Sequence, residues 1–262
     1  MKLWTPADAA AHIAVPRVDD DKYSRGVLGV ITGSDQYPGA AVLGVEAALH
    51  TGLGMLRYLG PARATDFVLS RRPEVVAGPG RVQAWLIGSG TSSSSLAALE
   101  AASSGLPVIL DAGALELHSV VTGPTVLTPH YRELARVLSV SPEDIAADPA
   151  HWAAEASSRL GATVLLKGHT TWVAGGGVLL SVQAAPTWLA TAGAGDALGG
   201  ILGALVATHW SSLTDPTMLP RLAATASLIH GQAASRASGG GPFTILDLCA
   251  AVPGVISELL SQ

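Results

Sequence analysis

Short apolar runs alternate with amphipathic stretches along most of the chain. This is the βαβ rhythm of a mainly parallel sheet covered by helices on both faces. Val27–Thr32, Met55–Leu59, Ala84–Ile87, Pro107–Leu110 and Thr163–Leu166 read as buried strands, being short, apolar and bounded by turn formers. Ala40–His50, Ser94–Ser104, Tyr131–Leu138, Pro149–Leu160, Ala194–His209 and Leu219–Ala237 read as helices. Trp172–Ala174 and Val178–Val182, joined by Gly175-Gly176-Gly177, predict a late hairpin. The serine run Ser92–Ser95 predicts a helix-entry loop, because serine favours caps and turns. With no tandem repeat and no long linker, residues 1–262 are expected to form one α/β domain.

Composition adds to this pattern. Apolar residues make up 48% of the chain, charged residues only 13%, and there are 30 glycines. That balance suits an enzyme-like globule with much buried sheet. The net charge is −5 and no basic run is longer than Arg71-Arg72, which argues against nucleic acid or an anionic membrane as the main partner. Cys249 is the single cysteine, so no internal disulfide is available, and its apolar surroundings predict a buried structural thiol. The N-terminus has no signal-peptide core and no apolar run approaches the roughly 20 residues that span a bilayer, so a soluble, cytoplasmic protein is expected.

Candidate chemistry concentrates in Trp188–Ile201, where small residues crowd before a lone carboxylate in Ala192-Gly193-Ala194-Gly195-Asp196. Glycines there let several backbone N–H groups point at one spot, and a helix starting near Ala194 adds its positive dipole end. An anion such as phosphate fits that turn, with Asp196 placed to deprotonate a hydroxyl. A glycine-rich turn with Asp196 as a helix cap is the competing reading. Other strand ends also carry small or polar residues, where doubly wound sheets place their sites. Ile31-Thr32-Gly33-Ser34 leads to Pro38-Gly39-Ala40-Ala41, and Gly88-Ser89-Gly90-Thr91-Ser92 follows another strand. Asp111 follows Leu110 and suits a metal-bound water, a substrate hydroxyl or a helix cap. In Thr128-Pro129-His130-Tyr131-Arg132-Glu133, Thr128 suits the cap region and His130 and Glu133 share a face. Lys167-Gly168 follows a buried strand, where the lysine suits either a phosphate or solvent.

Taken in order, PGAA, GSG, LDAGAL, LTPHYRE, LLKGHTT, ATAGAGDALGG and LIHGQAA resemble the ADP/ATP-dependent NAD(P)H-hydrate dehydratases, a branch of the ribokinase-like superfamily. The resemblance runs from about Lys22 to Leu260 and implies a three-layer sandwich with a mainly parallel central sheet. Related kinases carry Asn where His130 stands, which favours the dehydratase branch in its stand-alone form. The implied reaction restores NADH or NADPH from the hydrates NADHX and NADPHX, by phosphorylating the C6 hydroxyl and eliminating phosphate. The resemblance implies Asp196 as base and Gly193, Ala194 and Gly195 as the anion turn. It places Lys167, Gly168, His169, Thr170, Thr171 and Gly195 on ADP or ATP. Ala41, Gly90, His130 and Asp196 are placed on the hydrated dinucleotide. Mg²⁺ is expected with the nucleotide, Glu133 is a candidate ligand for it, and self-association into a homo-oligomer is a family habit.

The chain departs from the family pattern in three places. GPGLG becomes Gly88-Ser89-Gly90-Thr91-Ser92, GTGD has Ala194 for Thr, and an early HKG becomes Asp21-Lys22-Tyr23. Two other functions are alternatives: a small-molecule kinase that uses the same turn and Asp196 but keeps phosphate on an alcohol product, and a non-catalytic nucleotide-binding protein in which Asp196 has little kinetic role.

Overall fold

The chain's strands alternate their side chains between two cores, so a single sheet must lie between two helical layers. Leu28, Val30, Leu86 and Ile109 point into one core, while Val27, Ile31, Ile87 and Leu110 point into the other. The structure, a computed structural model, describes residues 1–91 and 95–261. Its strands are β1 (Lys2–Leu3), β2 (Val27–Ile31), β3 (Met55–Tyr58), β4 (Val76–Ala77) and β5 (Ala84–Ile87). They continue as β6 (Val108–Leu110), β7 (Thr125–Leu127), β8 (Thr163–Leu166), β9 (Thr171–Gly175) and β10 (Val178–Val182). The helices are α1 (Pro6–Ala10), α2 (Gly39–His50), α3 (Ala62–Arg71), α4 (Leu96–Ala102) and α5 (Tyr131–Leu138). They continue as α6 (Pro142–Ala147), α7 (Pro149–Leu160), α8 (Ala194–Thr208), α9 (Met218–Ser238) and α10 (Ile245–Leu260).

The sheet order is β1-β10-β9-β8-β7-β6-β5-β2-β3-β4. From β8 through β4 every neighbour is parallel, whereas β9 runs antiparallel to both β8 and β10. The predicted hairpin is therefore β9–β10, with Val178 opposite Gly175 and only Gly176-Gly177 in the turn. Both glycines have positive φ, which a two-residue hairpin turn with matching twist requires.

The five predicted strands and the described parts of all six predicted helices form, with ends moved by a residue or two at most places. The helix expected over Ser94–Ser104 spans Leu96–Ala102; Ser92, Ser93 and Ser94 lie outside the described residues. Most elements absent from the pattern are short or interrupted, although the ten-residue α3 was missed as well. The strands β1 and β4 have two residues each and are exposed. Helix α10 carries Pro253 and Gly254, which read as breakers, yet it continues because it packs along α9 and α2.

Helix α8 is seated by close packing against α2. At Gly200 a β-carbon would collide with the Gly44 carbonyl, so only hydrogen atoms allow the two backbones to approach this closely. Cys249 is fully buried beneath them, and burial pushes its thiol up to about 12. It is a core residue, as its surroundings in the sequence suggested. Among the described residues, no helix is long and apolar enough to cross a membrane.

Candidate active site

Strands β2, β5, β6, β7 and β8 all run parallel, so their carboxyl ends share one edge of the sheet. That edge carries Thr32 and Gly33, Ser89 and Gly90, Asp111, Thr128 to His130, and Lys167. The chain leaves β2 toward β3 on one side and leaves β5 toward β6 on the other, which makes their junction the crevice of a doubly wound sheet.

Helix α8 begins over this edge at Gly193, whose φ of 90° is left-handed and whose cap position offers no side chain. The first N–H groups of α8 are thus left without a side-chain cap, and their dipole end favours an anion. Asp196 sits in that first turn. Burial, followed by the nearby Asp111 carboxylate, outweighs Lys167 and a Ser89 hydrogen bond and pushes Asp196 up to about 7. A carboxylate poised there is half-charged near neutrality, as suits a general base.

Lys167 and Asp111 form the ionic centre. Lys167 Nζ lies 2.7 Å from Asp111 Oδ1 and 3.7 Å from Glu133 Oε2. Thr128 Oγ1 donates to the same Asp111 oxygen at 2.8 Å. Burial opposes the lysine's charge, but Asp111, Glu133 and Asp196 together hold its pKa above the ordinary value. The backbone fixes this pairing: His130 and Lys167 form a parallel bridge, and the Lys167 N–H donates to the Pro129 carbonyl at 2.8 Å. At Gly195 a β-carbon would come within 3.6 Å of Asp111 Oδ2 and 3.7 Å of Lys167 Nζ, so the turn lies directly over the ion pair.

Two large cavities open along this edge. One, of about 890 Å³, is lined by His130, Lys167, Gly168, His169, Thr171, Ala194 and Gly195 together with the Ala185–Ala192 segment. The other, of about 630 Å³, is lined by Thr32 to Asp35, Tyr58 to Pro61, Gly90 and Thr91. A chamber of about 10 Å³, bounded by Thr32, Ser89, Asp111, Gly195 and Asp196, lies next to both. It is about the size of one water molecule.

The residues singled out in the sequence fall into groups. Lys167, Gly168, His169, Thr171, Ala194 and Gly195 share the larger cavity, and the Thr170 carbonyl packs near Gly168 behind it. Gly193 caps the turn, and Asp196 faces the small chamber. Gly90 belongs to the smaller cavity, whereas His130, expected beside the same ligand, lines the larger one. Ala41 is fully buried in α2 beneath Gly33.

Thr128 does not cap α5. His130 does, its Nδ1 accepting from the Glu133 N–H at 3.1 Å while Glu133 Oε2 accepts from the His130 N–H at 2.8 Å. The threonine is drawn instead to the Leu110 carbonyl and Asp111.

Asp111 shows where local reading falls short. An Asp before a helical turn looks like a cap, but its side chain makes no capping bond and pairs with a lysine 56 positions away. Its partner was visible in the sequence; the pairing was not. His230 was also missed: its segment LIHGQAA was one of the motifs of the resemblance, but the histidine was given no role, yet it lines the larger cavity.

No group of three or more His, Cys, Asp and Glu side chains forms a metal cage among the described residues. The carboxylates at this edge, Asp111, Glu133 and Asp196, are oxygen donors of the kind Mg²⁺ takes one or two of beside substrate phosphates.

The architecture is that of the ribokinase-like class. A ribokinase-like superfamily protein from Enterococcus faecalis superposes with a TM-score of 0.87 at 21% identity, covering 100% of this chain and 97% of that one. A crystal structure of the ADP/ATP-dependent NAD(P)H-hydrate dehydratase from Bacillus subtilis superposes with a TM-score of 0.86 at 24% identity, covering 98% of both chains. The family model described as NAD(P)H-hydrate dehydratase (Carb_kinase) matches residues 28–244. The chain belongs to that family. It is 47% identical over 218 residues to the bifunctional NAD(P)H-hydrate repair enzyme Nnr of Mycobacterium tuberculosis, across 77% of this chain and 45% of that relative. It is 33% identical over 220 residues to the ADP-dependent (S)-NAD(P)H-hydrate dehydratase of Neisseria meningitidis serogroup B, across 75% and 74% of the two chains. The chain thus spans less than half the length of the bifunctional relatives it matches.

Proposed function

We propose that this chain, acting as one domain, restores NADH and NADPH from NADHX and NADPHX using ADP or ATP as phosphoryl donor. The observation that carries the reading is Asp196, half-charged near neutrality in the first turn of an uncapped helix, between two cavities large enough for two ligands. In this reading the larger cavity takes the nucleotide. Lys167 and the N–H groups of Gly195 and its neighbours hold the phosphates, with Gly168, His169, Thr170 and Thr171 around them. The smaller cavity takes the reduced ring's end of the hydrate past Gly90, and His130 and the α2 start near Ala41 guide the remainder.

Asp196 accepts the proton of the C6 hydroxyl as that oxygen attacks the terminal phosphorus, and the nucleotide leaves with one phosphate fewer. The α8 amides stabilise the charge that develops on the transferred group. Phosphate then departs with the electron pair of the C6–O bond, the C5 proton passes to solvent, and the C5–H electron pair restores the 5,6 double bond. Hydroxide would leave poorly; phosphate leaves well, and the ring nitrogen's electrons help to expel it. Mg²⁺ supplies charge neutralisation at the nucleotide phosphates when bound. We assign Glu133 as its carboxylate, because Oε1 is held only loosely, 3.6 Å from His130 Nε2.

The test is to add purified protein to hydrated NADH with Mg²⁺ and either ADP or ATP, and to follow the near-ultraviolet absorbance of reduced nicotinamide. Recovery that depends on the nucleotide supports the reading and ranks the two donors. Folded protein that restores nothing with either donor contradicts it.

A further inference from the structure

Helix α9 presents Ser227 and His230, three positions apart, to the wall of the larger cavity. Both are buried, with 7% of their surface exposed. His230 Nε2 has no hydrogen-bond partner. The ring lies against the backbone of Ala194, the first residue of α8, which favours its protonated form. Burial, aided by the Lys167 charge, pushes the imidazole down to about 4, so it is neutral at physiological pH. A neutral imidazole has one donor and one acceptor nitrogen. With the proton on Nδ1, the unpartnered Nε2 is the acceptor. Buried acceptors are rarely left unmade, and one on a cavity wall points to a ligand that supplies the donor. The wall beside it is apolar, formed by Pro186, Leu189 and Leu198, while Lys167 and the α8 turn mark the anionic end. This suits a nucleoside next to its phosphates.

We propose that His230 reads the nucleoside of the phosphoryl donor, its Nε2 accepting a hydrogen bond from a ribose hydroxyl or from the amino group of the base. The inference rests on the nucleotide reading of this cavity. Because the same ring lies against Ala194, His230 places nucleoside recognition beside the anion turn.

The test is calorimetric titration of ADP, 2′-deoxyADP, 3′-deoxyADP and inosine diphosphate into wild type, His230→Leu and His230→Gln, with a melting temperature for each protein. Wild type is expected to bind one analogue about tenfold more weakly than ADP, the range set by a neutral hydrogen bond. A deoxy analogue identifies the ribose and the inosine analogue the amino group. The Leu variant should lose a similar factor for ADP and stop discriminating against that analogue. The Gln variant, whose amide oxygen reaches a similar place, should keep most of the affinity and the preference. Wild type binding all four ligands alike overturns the proposal whatever the variants do. So does a Leu variant of wild-type melting temperature that binds ADP unchanged. If Leu does not fold, Gln decides: retained preference supports the role of Nε2 and lost preference overturns it. Failure of wild type to bind ADP at all removes the nucleotide reading itself, and this inference with it.

Discussion

Asp196→Asn exchanges a carboxylate for an amide of nearly the same shape in the first turn of α8. Folding lifts the carboxyl from 3.8 to about 7. Between those values the folded chain holds a proton that the unfolded chain has released, so stability falls as pH rises through this window. The loss is complete above about pH 7 and absent below the unfolded value. Three pH units correspond to about 4 kcal/mol. The open amides of α8 favour the charge, and the carboxylate is not sealed from water, so we take about half of that, about 2 kcal/mol. For a chain of this length that is roughly 4 °C in melting temperature. Asn does not titrate and escapes the cost. Melting curves of the two proteins from pH 4 to pH 8 should therefore coincide at the acid end, with the variant pulling ahead by a few degrees above pH 7. A variant that melts below wild type at pH 8, or a gap that does not change with pH, would refute the assignment of a strained, proton-holding carboxylate.

Turnover should rise with pH through about 7 in wild type, with the slope of one proton, because the base acts in its charged form. Asp196→Asn should lower turnover by on the order of a hundredfold while leaving ADP affinity within a few-fold, as read by steady-state kinetics and titration. Lys167→Ala should weaken ADP binding by about tenfold or more through loss of a charge-assisted contact. It should also lower stability by about 2 kcal/mol, because Asp111 keeps only the Thr128 hydroxyl. Gly90 has φ +82°, and a β-carbon there would stand 2.9 Å from the Gly33 backbone. Gly90→Ala should thus cost about 2 kcal/mol and raise KM for the hydrated dinucleotide, with ADP affinity unchanged. His130→Ala should cost about 1 kcal/mol by uncapping α5, measurable by chemical denaturation.

The sheet and its main helices were legible because their apolar runs are buried on both faces and bounded by glycine or proline. The hairpin was legible because Gly176 and Gly177 offer the positive φ its turn needs. Helix α10 was not, since Pro253 and Gly254 argue locally against a helix that tertiary packing nevertheless sustains. At the site, Asp196 and the glycine turn could be read from their neighbours, because a helix start is a local structure. The Lys167–Asp111 pair could not, because it depends on β6 and β8 flanking β7 in the sheet. His130 is a case between these. Its spacing to Glu133 was plain, but the histidine itself takes the cap that Thr128 seemed placed to supply, and the threonine turns to Asp111.

The central claim is that phosphoryl transfer and dehydration are joined at Asp196. Its most direct test follows recovered nicotinamide absorbance and released phosphate together, with hydrated NADH, Mg²⁺ and ADP, in wild type and Asp196→Asn. The account predicts one phosphate released for each NADH restored, and neither product from a variant that still binds ADP. Nucleotide consumed with the phosphate retained on an alcohol and no absorbance recovered would contradict it and identify a kinase.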